Sequence, residues 1–503
     1  MSNRDGELDD SSVEPGVWRY VHARRVRVVI DGEAYFDLIQ RAMLKARQRI
    51  LLIGWDFDTR IHLTRGRRWW QRPFRREHPV RLGSFILWLN RHHRELEIRI
   101  LKWSFGFLKF LSRGSMLLDL VRWFPHRRID FKFDTAHPVA CSHHQKLVII
   151  DGEFAVCGGI DMTGGRWDTR DHLEHDERRQ GPGGEDFGPW HDVTMMVEGE
   201  IAGALGELGE ARWQRAGGKP LAALEKHEGS AWPDDLVAHF ENVELGIART
   251  RAEYGGLPAI NEIEQLHLQH IAEARQFIYA ENQYFASRRI AEALALRLAE
   301  EDPPEIIIVH SQSADGWLES QAMDPARDAL VKALQHLDKR GRLHILVPYS
   351  GEMPIYVHAK LTIIDDRILR IGSANLNNRS FGLDSECDLF IDAERPDNGH
   401  ARRAIRDLRH SLLAEHLGLA EAAMPGLLAE HGSMAALISM RRTAKGRALR
   451  KVVIEDKSAF LDDMAARQVF DPETPDAMFE LRAPGDGLFR KRSLLGRVRR
   501  KAA

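Results

Sequence analysis

Cysteine is scarce in this chain: three in 503 residues (Cys141, Cys157 and Cys387), with no CxxC pair. An odd, small count leaves no disulfide framework and suits a reducing compartment. Long apolar runs are missing too. No stretch of 18 or more hydrophobic residues occurs, so no spanning helix is expected. The opening residues, MSNRDGELDDSSVEPG, are acidic and polar, unlike a secretory signal or transit peptide. Net charge is almost absent at −2, from 72 Lys and Arg against 74 Asp and Glu. The 24 histidines show no HExxH or Cys/His knuckle spacing, so no metal and no cofactor are expected. His92, His93, His172 and His175 read as solvated loop histidines. These absences describe a soluble globular protein, cytoplasmic or peripheral to a membrane, or exported by a route that needs no signal peptide.

What is present is a repeat. His144-Gln145-Lys146, with Asp151, returns 214 positions later (358 − 144 = 214) as His358-Ala359-Lys360, with Asp365. The register holds onward without a gap: Gly158-Gly159-Ile160-Asp161 answers to Gly372-Ser373-Ala374-Asn375. Internal recurrence at fixed spacing marks a duplicated unit. Local basic stretches break the neutral average, at RGRRWWQRPFRR (65–76) and in the tail at 490–492 and 497–501. Arginine mixed with tryptophan suits a membrane interface, single-stranded nucleic acid or a solvated loop. The tail, with Leu488, Phe489, Leu494 and Leu495 among cations, suits anionic lipid or an ordinary solvated terminus.

Periodicity supports the duplication. Residues 34–47 have helical spacing, 50–55 form a short apolar strand, 83–93 are helical, and 98–101 and 147–150 are strands. The second unit repeats the order, with helices at 262–274 and 290–300 and strands at 276–280, 306–309 and 343–347. Residues 168–189 read as a long polar loop near the first motif. After residue 399 the helical segments 408–417, 420–428 and 434–450 predict a helical extension. The fold class is α/β with a parallel-type sheet covered on both faces. It divides into a flexible leader (1–18), repeats at 19–225 and 226–398, and a C-terminal extension with a basic tail (399–503).

The motif has a chemical logic. A phosphodiester needs its charge neutralised, a nucleophile supplied and its leaving oxygen protonated. Two histidines can divide attack and proton transfer, since their reference pKa of about 6.5 lies near working pH. Two lysines supply fixed charge where it builds up in the transition state. Residues two apart on a strand share a face, so His144 and Lys146 project together, as do His358 and Lys360. Asp151 and Asp365 belong to the motif but close their strands at turns, a holding role. Gly158, Gly159 and Gly372 would allow close backbone approach to a phosphate, with Ser373 and Asn375 offering hydrogen bonds. His143 points to the other strand face. Glu281-Asn282-Gln283 and Gly54 to Asp58 follow strand ends and are candidates to line the site's mouth.

HxKxxxxD followed after six residues by GG or GS resembles the HKD signature of the phospholipase D superfamily, present twice. GGIDMTGGRWDTRDH (158–172), PWHDV (189–193), IYAENQYF (278–285), IYVHAKLTIIDD (355–366) and IGSANLNNRSFGLDSE (371–386) resemble the catalytic core of eukaryotic-type phosphatidylcholine-hydrolysing enzymes. The likeness spans roughly residues 20 to 420. It implies two duplicated halves around one site, His144 as nucleophile and His358 as general acid and base. It further implies Lys146, Lys360 and Asn375 at the phosphate, Asp192 and Glu386 as acids orienting the imidazoles, and Glu281, Asn282 and Gln283 lining the site. Asp161 stands where bacterial members commonly have Asn, and its carboxylate would repel phosphate unless paired. The implied reaction is hydrolysis of a glycerophospholipid at a membrane surface by a monomer through a phosphohistidine, with transfer to alcohols possible. Cardiolipin synthesis differs only in the acceptor. A nuclease or a non-catalytic lipid-binding scaffold are the other classes, and no nucleic-acid partner is expected.

Overall fold

A computed structural model describes residues 14–64, 78–103, 114–139, 141–227, 229–314, 317–442 and 445–454, together with 471, 472, 488, 494 and 495. The basic-aromatic stretch 65–76, most of the leader and most of the basic tail lie outside the described residues.

The first half runs β1 (Arg19–Ile30), α1 (Gly32–Leu44), β2 (Arg49–Gly54), α2 (Leu82–His92), β3 (Glu97–Trp103), α3 (Gly114–Trp123) and β4 (Ile129–Asp134). It continues through β5 (Leu147–Ile150), β6 (Phe154–Gly158), β7 (Trp190–His191), β8 (Val193–Glu198) and α4 (Glu200–Arg215). The second half opens with β9 (Phe240–Arg251) and β10 (Ile260–Asn261). It proceeds through α5 (Glu262–Glu273), β11 (Phe277–Asn282), α6 (Arg288–Leu298), β12 (Glu305–His310), α7 (Trp317–Leu337) and β13 (Leu343–Ser350). Then come β14 (Met353–Pro354), β15 (Tyr356–Val357), β16 (Lys360–Ile364), β17 (Ile368–Gly372), α8 (Asn378–Gly382) and β18 (Glu386–Asp392). The C-terminal segment adds α9 (Ala401–Leu417), α10 (Met424–His431), α11 (Met434–Arg441) and β19 (Arg447–Lys451).

Hydrogen-bonded ladders link the strands of the first half in the order β4-β3-β2-β5-β6-β8-β1. Those of the second run β9-β18-β17-β16-β11-β12-β13. An antiparallel β1–β9 ladder joins them. Each half therefore has three parallel strands, β2–β4 or β11–β13, followed by antiparallel ones. The inner parallel strands β2 and β12 read as continuous apolar runs because both their faces are covered, whereas the edge strand β4 alternates. Separate buried clusters sit under α1 and α2 in the first half and under α5 to α7 in the second. A third cluster joins β5, β8, β16 and β18 of both halves beneath α4 and α9.

The chain is thus an α/β protein, as its periodicity predicts. One detail differs at the C-terminus. Helix α11 stops at Arg441, and residues 447–451 instead pair antiparallel with β13. Gly446, at φ 95, makes the turn that helical spacing across 434–450 hides. Among the described residues no helix is long and apolar enough to cross a membrane.

Candidate active site

Both motifs lie where a short buried strand begins. Leu147–Ile150 and Leu361–Ile364 are wholly buried in β5 and β16. That anchors the residues just before them, His144 with Lys146 and His358 with Lys360, at matching strand ends.

The two halves then exchange supports. His144 Nδ1 lies 2.9 and 3.0 Å from the Glu386 carboxylate oxygens, and the His144 amide donates to the Ser385 carbonyl at 2.9 Å. Reciprocally, His358 Nδ1 lies 2.8 Å from Asp192 Oδ2, and the His358 amide donates to the His191 carbonyl at 2.7 Å. Each acid therefore reaches across from the other half. With Nδ1 occupied, Nε2 is the nitrogen each ring presents to a substrate. Glu386 also accepts from Ser373 Oγ at 2.5 Å and Ser380 Oγ at 2.7 Å, and Asp192 Oδ1 accepts from the Val193 amide at 2.8 Å.

The lysines are held in parallel fashion. Lys146 Nζ donates to the His144 carbonyl at 2.8 Å and pairs with Asp161 at 3.4 Å. Lys360 Nζ donates to the His358 carbonyl at 2.6 Å and to Gln283 Oε1 at 3.0 Å. Asp161 is thus paired, and its Oδ1 also accepts from the Trp55 amide at 3.1 Å. Its counterpart Asn375 is buried with Oδ1 lacking a hydrogen-bond partner.

Burial governs the electrostatics. It holds the His144 imidazole well below its usual range, with Lys146 and Lys360 adding to the effect. It does the same to His358, helped by Lys360 and Arg166. Burial pushes Asp192 up to about 7 and Glu386 up to about 8, and brings Lys360 down to about 7. Each motif's lysine acts on the other motif's histidine, so the four groups form one electrostatic unit. An anionic group bound here would supply counter-charge favouring the protonated forms of Lys360 and of one imidazole.

Several expected site residues stand elsewhere. Asp151 and Asp365 lie at the far ends of their strands, at φ 52 and 55. Asp151 accepts the amides of Arg47, Gln48 and Arg49 at 2.7–2.8 Å; Asp365 accepts those of Arg275, Gln276 and Phe277 at the same distances. They tie each turn to the start of β2 or β11 and do not face the histidines. Gly159 makes room for protein rather than phosphate: a Cβ there would fall 2.0 Å from Asp192 Oδ1. Ser373 spends its hydroxyl on Glu386. Asn282 holds the loop after β17, accepting from the Leu376 amide at 3.0 Å. Glu281 faces away, bonded to His191 at 2.8 Å and His416 at 2.9 Å. His172, expected in solvent, is fully buried between Asp168 and Glu415. The loop carrying it folds inward because buried carboxylates require a partner.

Aromatic side chains complete the site. Trp55 sets its ring edge against His144 with centroids 6.3 Å apart, and stacks on Trp103 at 5.7 Å. Trp190 covers His358 at 5.3 Å and stacks on Tyr356 at 4.5 Å. The Arg166 guanidinium lies over Trp190, 4.1 Å from its centroid. Trp55 falls in the stretch Gly54 to Asp58 expected at the site's mouth, whereas nothing in the sequence singles out Trp190 or Arg166 individually.

The comparisons with known proteins agree with this geometry. A family model described as cardiolipin synthase, PLD-like domain, matches residues 267–407. Phospholipase D1 of Saccharomyces cerevisiae is 24% identical over 502 residues, covering 78% of this chain and 29% of the relative. Phospholipase D alpha 1 of Nicotiana tabacum is 24% identical over 541 residues, covering 78% and 66%. The chain therefore spans between 29% and 66% of the length of these two relatives. The crystal structure of phosphatidylserine synthase from Haemophilus influenzae Rd KW20 superposes with a TM-score of 0.52 at 11% identity, covering 84% of this chain and 96% of that one. That likeness concerns the fold. With both motifs intact and paired across two equivalent halves, these likenesses support membership of the phospholipase D superfamily.

Proposed function

We propose that the chain is a phospholipase D, transferring the phosphatidyl group of a glycerophospholipid, phosphatidylcholine first among them, to water or an alcohol. The observation that carries this reading is the reciprocal pairing of His144 with Glu386 and His358 with Asp192. Glu386 orients His144 so that Nε2 attacks phosphorus, forming a P–N bond as the P–O bond to the head group breaks. His358 gives its proton to the departing alkoxide. Water then attacks, returning a proton to His358 as the P–N bond breaks, and phosphatidate is released. Lys146 and Lys360 meet the phosphate oxygens, and the Asn375 amide turns a donor toward them. An alcohol in place of water gives transphosphatidylation. The lipid substrate is supported by the names of the relatives.

The outer face of α3 and the turn after it support a membrane-surface setting: Leu118, Val121 and Phe124 are 59%, 69% and 90% exposed. A transferase acting on an alcohol acceptor, as in cardiolipin synthesis, is the second reading, favoured by the description of the matching family model. Incubation with defined phospholipids plus ethanol, followed by mass spectrometry, tests both. Phosphatidylethanol and phosphatidate are expected from phosphatidylcholine. Exclusive transfer to a lipid alcohol would favour the second reading, and cleavage of DNA with no lipid product would overturn the substrate assignment.

A further inference from the structure

On the far side of Asp192 lies a group of buried side chains that the displacement does not use. Asp31 ends β1, His172 sits in the long loop, His191 is in β7 and Glu415 comes from α9, and none is more than 4% exposed. Their ligand atoms converge. His172 Nε2 is 3.3 Å from Asp31 Oδ2 and 3.1 Å from Glu415 Oε1. His191 Nδ1 is 3.1 Å from Asp31 Oδ1 and 3.0 Å from the same Glu415 oxygen. A tetrahedron with metal–ligand bonds of about 2.0 Å has edges of about 3.3 Å. The three separations in the set that uses a single Asp31 oxygen, Oδ2, are close to that, and one ligand atom from each residue lies within 4.8 Å of all the others.

We propose that Asp31, His172, His191 and Glu415 bind one divalent transition-metal ion, zinc by its donor set, in a closed structural site. Two atoms make ion-pair contacts but no well-aligned hydrogen bond. Asp31 Oδ2 and His191 Nδ1 are buried without a hydrogen bond, although His191 Nδ1 is within 3.1 Å of two carboxylates. Hydrogen-bond alignment is poor at this nitrogen despite two carboxylates in ion-pair reach, whereas an ion at the centre of the group would use its lone pair directly.

The surroundings match what metal-bound histidines require: a carboxylate on the other ring nitrogen fixes tautomer and orientation. His172 Nδ1 has Asp168 Oδ2 at 2.9 Å, and His191 Nε2 has Glu281 Oε2 at 2.8 Å. Glu415 is held through its second oxygen by Arg170, and Asp31 Oδ1 receives the Asp192 amide at 3.1 Å. Asp31 holds this position at φ 64, a strained conformation for a residue other than glycine. Two nitrogen and two oxygen donors, with no solvent access, suit a four-coordinate structural ion rather than one that binds substrate. The ion would staple the first half to α9 beside the segment that positions His358.

The test uses the full chain and needs no turnover, so its result is independent of the lipid reading. Purified protein is stripped with EDTA, dialysed, and titrated with ZnCl2 and, separately, CoCl2. Expected are one zinc per chain by elemental analysis, the visible bands of tetrahedral cobalt, and a rise of several degrees in Tm that EDTA reverses. Asp31→Asn and His172→Gln should abolish the cobalt bands and the zinc-dependent rise in Tm. Failure of the stripped native protein to take up either ion would overturn the proposal and leave the cluster held by protons alone. Undiminished uptake by both variants would overturn it equally. If a variant does not fold, the titration of the native chain still decides.

Discussion

The two halves carry the same His and Lys pair on unlike supports. Lys146 faces a carboxylate, Asp161, at 3.4 Å, whereas Lys360 faces the neutral amide of Gln283 at 3.0 Å. His144 leans on a glutamate held by two serine hydroxyls; His358 leans on an aspartate held by a backbone amide. The His144 side chain is 13% exposed and that of His358 6%. Duplication thus explains where the groups stand, while the unlike neighbours set how each is charged and how easily it is reached. In physical terms, symmetry built the site, and the proposed division of labour rests on the asymmetry within it.

Removing each histidine tests that division most severely. His144→Ala should abolish turnover and phosphohistidine trapping on every substrate. His358→Ala should lose about 10²–10⁴-fold on a choline lipid but far less on an analogue with an acidic nitrophenol leaving group, which needs no proton. Equal losses on both substrates, measured by steady-state kinetics, would mean that the roles are not divided in this way. Exchange of the acids comes next. Glu386→Gln and Asp192→Asn should each lower kcat on the order of 10²-fold with little change in KM, because they orient rings rather than touch lipid.

Glu386→Gln also carries a pH signature. Burial raises this carboxyl from 4.5 to about 8, so the folded state binds the extra proton between those values. Its contribution to stability is complete below about pH 4.5 and is lost as pH rises through about 8. The difference in Tm between native protein and variant should therefore shrink from pH 5 to pH 9. A widening gap would show that the charged carboxylate is the favoured form.

The turn aspartates probe what the halves share. Asp151→Ala and Asp365→Ala each strand three backbone amides and should cost about 2–4 kcal/mol in chemical denaturation, leaving KM unchanged. A marked loss of phosphate affinity in either would return these residues to the site. The smallest effect is expected from Asp161→Asn, which makes the first half resemble the second. Freed of its carboxylate, Lys146 should bind inorganic phosphate about fivefold more tightly, on the order of 1 kcal/mol, as read by competitive inhibition.

Much of this was legible in the chain because the duplication keeps its register. The 214-residue offset locates β5 with β16 and β6 with β17, and with them both His and Lys pairs. Resemblance adds Asp192 and Glu386, and the structure sets each beside the other half's histidine. What stayed hidden depends on contacts across long separations. Glu281 sits two residues before Gln283 on the same stretch, yet only Gln283 meets a motif lysine, Lys360. Nothing local shows that Glu281 turns toward His191 and His416, 90 and 135 residues away. His172 resembles a solvated loop residue until the loop is seen folded inward over buried carboxylates.

The exchange of acids also bears on how the enzyme is assembled. Contacts in which each unit gives the other the same kind of group are those of a two-fold homodimer, here fused into one chain. The segment between α4 and β9 then serves as a tether, converting an encounter between two bodies into an intramolecular event. Cut there, each piece would hold a histidine without its acid. Activity would become second order in protein, rising with the product of the two fragment concentrations.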